Sequence, residues 1–125
     1  MTDAAQKPKL KIERLKKRPE FLACAKAPYC GRGAVLIQAL ARDAEPLVRV
    51  GFTATKRIGG AVERNRAKRR LREAARLLLP ELASPGFDYV FVARGGVTTR
   101  PWPRLLDDVK SALIRLAADR DRPAT

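Results

Sequence analysis

Lys56–Arg76 reads KRIGGAVERNRAKRRLREAAR and carries nine of the chain's 27 lysines and arginines, against two acids, Glu63 and Glu73. Laid on a helix at about 100° per residue, Ala67, Leu71, Ala74, Ala75 and Leu78 fall in one narrow stripe able to pack on a core. Asn65, Arg69, Arg72 and Arg76 fall together on the far side, with Arg66 beside them. One face is apolar and the other is a row of guanidinium groups. The Gly59-Gly60 pair lets the backbone enter the helix tightly, and Pro80 marks its expected end. Cations at a helix start oppose the macrodipole by roughly 0.3–1 kcal/mol each. A compensating anion from outside the chain is therefore expected.

A length of 125 residues predicts one domain with a real core. Its net charge of +14 points to a polyanionic partner, nucleic acid or anionic membrane. Membrane is the poorer fit: no apolar run approaches the roughly 20 residues needed to span. The N-terminal MTDAAQKPKLKIERLKKR also lacks the apolar centre of a signal peptide, so a cytoplasmic location is expected. Cys24 and Cys30 have no third cysteine and no histidine to join them, which argues against a zinc site and for two small buried or half-buried thiols in a reducing compartment. The 13 acids are scattered, and the adjacent Asp107 and Asp108 diverge by about 100° on a helix. No catalytic residue and no metal held by the protein is expected from such a distribution. Neither a Walker loop nor a dinucleotide-binding GxGxxG unit is present.

Outward from the basic stretch, residues 1–9 read as a disordered basic tail, 10–118 as a single RNA-binding α/β domain and 119–125 as a second disordered tail. Lys9, Lys11, Arg14, Lys16, Lys17 and Arg18 form a basic arm. Pro19 opens a short helix whose Phe21 is either a core anchor or a ring facing a groove. Tyr29–Gly33 reads as a turn, 34–42 and 47–55 as strands, and 87–94, FDYVFVAR, as a central strand covered on both sides. In the second strand Val48, Val50, Phe52 and Ala54 share the core face; Leu47, Arg49, Gly51, Thr53 and Thr55 share the other and lead into Lys56-Arg57. In the last helix Trp102, Leu105, Leu106, Val109, Leu113 and Leu116 keep helical spacing toward the core, and Asp107 and Asp108 point elsewhere. The predicted architecture is an α/β, α-β-β-α-β-α two-layer sandwich, with the helices packed on a largely antiparallel or mixed sheet.

Arginine in preference to lysine supplies planar forks for phosphates. Four Phe, two Tyr and one Trp are too few for an extended stacking platform, so folded RNA fits better than long single strands. A helix-turn-helix DNA reader would need a second helix beside the basic one, where strand signals stand instead, which argues against DNA. Charge and size alone would equally suit a ribosomal or rRNA-binding structural protein, the alternative reading.

Thr53-Ala54-Thr55-Lys56-Arg57-Ile58-Gly59, Ala61-Val62, Arg64-Asn65-Arg66 and Lys68-Arg69-x-x-Arg72 closely resemble the signature of the bacterial ribonuclease P protein component, with its RNR motif. The likeness extends more weakly over most of residues 10–117. It implies the protein subunit of a ribonucleoprotein endoribonuclease that removes 5′ leaders from precursor tRNA. It further implies that the RNA subunit carries catalysis with Mg²⁺, held mainly by RNA and not by the protein alone. A sandwich similar to a domain of ribosomal protein S5 (domain 2), with a left-handed βαβ crossover, is also implied. By position, Arg64, Asn65, Arg66, Lys68, Arg69 and Arg72 would bind the RNA subunit. Phe21, Thr53, Thr55, Lys56 and Arg57 would bind the leader. The chain departs from the family pattern at Ala25, one turn after Phe21, where a second aromatic is common, and at Ile37, offered where a strand tyrosine is common. Thinner leader stacking and a more electrostatic grip are expected from both.

Overall fold

Phe87–Ala93 is the strand on which the sheet is built, and its near-continuous apolar run is explained by its place at the centre. The structure, a computed structural model, describes residues 10–121. In chain order the elements are β1 (Lys11–Arg14), α1 (Arg18–Cys24), β2 (Tyr29–Arg32), β3 (Val35–Ala41), β4 (Leu47–Thr53), a 3₁₀ turn (Lys56–Ile58), α2 (Ala61–Leu82), β5 (Phe87–Ala93) and α3 (Trp102–Asp121). One mixed sheet has the order β1-β4-β5-β3-β2. β4 runs parallel to both β1 and β5, while β3 is antiparallel to β5 and β2. The basic helix α2 is thus the crossover between two adjacent parallel strands.

One sheet face carries the main core. Val35, Ile37, Val48, Val50, Phe52, Tyr89 and Phe91 are buried there against Ala67, Leu71, Ala74, Ala75 and Leu79 of α2 and Leu105, Val109, Leu113 and Leu116 of α3. Phe52 and Phe91 meet edge to face at 5.5 Å. Burial of a ring such as Phe91, wholly removed from water, contributes about 1.5–3 kcal/mol. The opposite face holds a small second cluster, Leu15, Cys24 and Val90 with Phe21 packed on it, under the short helix α1. Burial pushes the Cys24 thiol up to about 11, and both cysteines are free.

Two strands stand where the sequence pattern shows none. Lys11–Arg14, expected as part of a basic arm, pairs with β4. Tyr29–Arg32, expected as a turn, pairs with β3. Neither segment has apolar alternation; their strand form is imposed by the open edges of β4 and β3, a case of tertiary context overriding local preference. The architecture is accordingly β-α-β-β-β-α-β-α. Pro80 lies inside α2, two residues before its end, and does not terminate it. At that place its missing N–H frees only the Arg76 carbonyl, on an exposed turn. Asp108 does not point outward either: it is buried, accepting the Ala34 N–H at 3.1 Å and the Arg100 guanidinium at 2.6 and 3.0 Å. α3 runs to Asp121, past the domain end expected at 118. The predicted tail 1–9 lies outside the described residues, as do 122–125.

Candidate nucleic-acid interface

The approach to α2 is set by Gly59. Its φ of 140° lies where side chains are rarely tolerated, and a Cβ there would sit 2.9 Å from Glu63 Cβ. The 3₁₀ turn ahead of it is closed by Ile58 N–H to Thr55 C=O and Gly59 N–H to Lys56 C=O, 3.0 and 3.1 Å. This turn carries Lys56 and Arg57, both exposed, from the end of β4 to the start of α2.

On α2 itself, Ala67, Leu71, Ala74 and Ala75 face the core as the periodicity predicts, which fixes the rotation of every cation. Asn65, Arg66 and Arg69 are exposed. Arg64, Lys68 and Arg72 are four residues apart and form a row along one flank; Arg64 and Lys68 are half-buried, and the Arg72 guanidinium lies 6.0 Å from the Phe52 ring centre. Arg72 and Arg76 gather with Arg14 of β1 around an apolar hollow of about 290 Å³ floored by Val50 and Phe52. Among the described residues, no carboxylate pairs with Arg64, Arg66, Lys68, Arg69, Arg72, Lys56 or Arg57. Arg76 differs, being paired with Glu73, which holds that carboxyl below its usual range. Arg70 differs too: it donates to the carbonyls of Val97 and Arg100, both at 2.6 Å, and ties α2 to the loop before α3.

Of the residues expected to bind a leader, Phe21 and Thr53 lie on the other side of the sheet. Phe21 lies over Gly51, so close that a Cβ there would fall 2.4 Å from its Cε1. Thr53, two residues along β4, faces the same way. Register places Thr53, Val92, Leu36 and Gly31 in one row across β4, β5, β3 and β2, and none of the four is fully buried. α1 packs on β3 and β5 and this row stays half-buried, with Phe21 on the same face over Gly51 and Thr55, Lys56 and Arg57 beyond its β4 end. Ile37 takes no part, because it is wholly buried in the main core on the opposite face. Ala25 is exposed just after α1, where its methyl offers no stacking surface. Reasoning from sequence missed Leu36, Val92 and Arg94. Arg94 reaches back over Gly31, with its Nη1 2.5 Å from where a Cβ would stand; the Arg94-Gly95-Gly96 turn hid that reach.

The outcome is two surfaces, one cationic on the outer side of α2 and one half-buried and mixed on the sheet, joined by the Lys56–Ile58 turn. Residues 10–117 match the family model Ribonuclease P. The chain belongs to the ribonuclease P protein family. It is similar to the Ribonuclease P protein component of Caulobacter vibrioides strain NA1000 / CB15N, 72% identical over 117 residues, 93% of this chain and 78% of that one. The Ruegeria pomeroyi protein of the same description is 51% identical over 112 residues, 87% and 90% of the two chains. Among solved structures, the RNase P protein from Thermotoga maritima superposes with a TM-score of 0.70 at 21% identity, covering 82% of this chain and 96% of that one. The Staphylococcus aureus protein gives 0.67 at 20%, covering 83% and 94%. At those identities the structural likeness is one of fold. The family role is that of protein component of ribonuclease P, the endoribonuclease of tRNA 5′ ends, and it implies an RNA partner in the holoenzyme. Nothing in these comparisons supports the ribosomal or rRNA-binding alternative. No helix among the described residues is long and apolar enough to cross a membrane.

Proposed function

We propose that the outer face of α2, through Arg64, Asn65, Arg66, Lys68, Arg69 and Arg72, docks the RNA subunit, and that Phe21, Thr53, Thr55, Lys56 and Arg57 hold the single-stranded leader of precursor tRNA. The observation that carries this reading is the set of unpaired cations on and before the first turns of α2, where the helix macrodipole adds its own positive end. An isolated protein gains nothing from that arrangement; a phosphate backbone laid along it relieves both the repulsion and the dipole. The half-buried row on the sheet supports the second part, since Phe21 on the same face offers a ring against which an unpaired base can stack. The protein's work is then to position RNA. Mg²⁺ is held mainly by the RNA, and the setting is the cytoplasm.

Reconstitution tests the reading. Precursor-tRNA cleavage is measured at low Mg²⁺ with the protein alone, the RNA subunit alone and both together. Stimulation of the RNA subunit is expected and no cleavage by the protein alone; absence of stimulation would sink the proposal. Arg66→Gln and Arg69→Gln are each expected to weaken RNA-subunit affinity by about 1–3 kcal/mol. An affinity unchanged by both would remove these forks from the interface.

A further inference from the structure

Between the N-terminal half of α2 and the loop that enters α3 lies a broad, open cleft of about 980 Å³. Val62, Arg66 and Arg69 form its helical side, and Thr98, Thr99 and Trp102 face them from the loop and the start of α3. None of the loop residues belongs to the surfaces assigned above. Resting on the reading of α2 as an RNA-binding helix, we propose that this cleft takes one unstacked nucleotide of a single-stranded or bulged RNA segment, with its base against Trp102 and its phosphate on Arg66 and Arg69.

The cleft is built before any ligand arrives. Arg70 fastens the loop at the Val97 and Arg100 carbonyls, and Arg100 is in turn held by the buried Asp108. The Arg70 guanidinium sits over the Trp102 ring at 5.7 Å, so guanidinium and indole form one wall, braced by the same bonds. Glu73 also borders the cleft, but its charge is taken by Arg76. Arg66 and Arg69 therefore stand as unpaired cations at the rim of a hollow with an aromatic wall. An RNA duplex would touch only that rim and leave the hollow empty, and an apolar peptide would face two unpaired charges. A nucleotide out of its stack supplies both a π face and an anion, which matches the wall and the rim together.

Trp102 is the sole tryptophan of the chain, so its emission reports on this cleft directly. Titration of the full-length protein with a single-stranded adenosine tetranucleotide is expected to quench that emission saturably. An RNA duplex of about 12 base pairs, at equal phosphate concentration, is expected to quench it several-fold less, because its bases stay stacked. Binding of a fluorescein-labelled tetranucleotide, read by anisotropy, is expected to weaken about tenfold in Trp102→Leu and to recover in Trp102→Phe. Val62 is 76% exposed, so Val62→Glu removes no core contact; it is expected to weaken the same binding by like-charge repulsion at the rim. Equal quenching by duplex and single strand, or unchanged affinity in both Trp102→Leu and Val62→Glu, overturns the cleft. The RNase P RNA subunit, titrated into the same protein, separates the two claims. Binding that depends on Arg66 and Arg69 while Trp102 stays silent removes the cleft and leaves α2 as the docking helix. Loss of RNA-subunit binding with tetranucleotide quenching intact does the reverse.

Discussion

Gly51 has no side chain, and that is what lets Phe21 descend onto the sheet. Its would-be Cβ falls 2.4 Å from Phe21 Cε1, 2.5 Å from Cζ and 3.2 Å from Leu15 Cδ1. Gly51→Ala must therefore push the ring outward, and it is expected to lower stability by about 1–3 kcal/mol in urea denaturation. Most of that cost should vanish in a Phe21→Ala background, since the ring is the main obstacle. A cost equal in both backgrounds would show that the backbone, not the aromatic, sets the requirement. Core anchor and groove-facing ring, the two fates open to Phe21 from sequence, are here one placement: half-buried over Gly51 and bordering the open row of the sheet.

At the scale of elements, α1 is too short to hold itself and is fastened by charge. Arg49 of β4 donates to Glu20 of α1 at 2.6 Å and, through two further nitrogens, to Asp88 of β5 at 2.9 and 2.7 Å. Arg42 adds a bond to Asp88 at 2.5 Å, and Asp88 is 2% exposed. Removing the charge of Asp88 leaves two guanidinium groups sharing a lost partner below α1. Asp88→Asn is expected to cost about 3–5 kcal/mol, read by thermal or urea unfolding. Glu20 gives the same latch a pH signature. The Lys17 N–H, then the Lys16 N–H and Arg49, hold its carboxyl below the ordinary 4.5. Its contribution is thus complete above that value and is lost as pH falls through the lower folded one. The stability gap between wild type and Glu20→Gln should be present at neutral pH and close in acid; a gap independent of pH would remove Glu20 from the latch. The main elements were legible because their apolar periodicity matches what they bury, as in Val48, Val50 and Phe52 or Ala67, Leu71, Ala74 and Ala75. β1 and β2 were not, since KIER and YCGR become strands only when β4 and β3 offer them an edge. The charges of β1 also discourage any further strand from adding there.

For the molecule as a whole, a net charge of +14 acts on any RNA at long range and its unpaired cations act at contact. RNA-subunit affinity is expected to fall steeply with salt, log K against log [salt] losing slightly less than one unit of slope per phosphate neutralised. Arg66→Gln with Arg69→Gln should flatten that slope by about 2, whereas Lys110→Gln, on an exposed position of α3, should leave it nearly unchanged. Equal slopes in wild type and double variant would mean that the charge acts only diffusely. The cationic face of α2 could be read from the sequence because it lies on one continuous helix. The sheet surface could not be read in full: Leu36, Val92 and Arg94 meet Phe21 and Thr53 only after strands distant in sequence are brought side by side.

The strand order has a consequence for how the chain is made. β5, at the centre of the sheet, is the last strand to be synthesised, and β4 and β3 have no pairing with each other. A chain from which β5 has not yet emerged can form at most two separate strand pairs, β1 with β4 and β2 with β3, with no sheet between them. The polycation is exposed in full during that interval, since Lys56–Arg76 precedes β5. The sheet closes only once β5 has emerged, when the nascent protein is already beside the most abundant RNA in its surroundings.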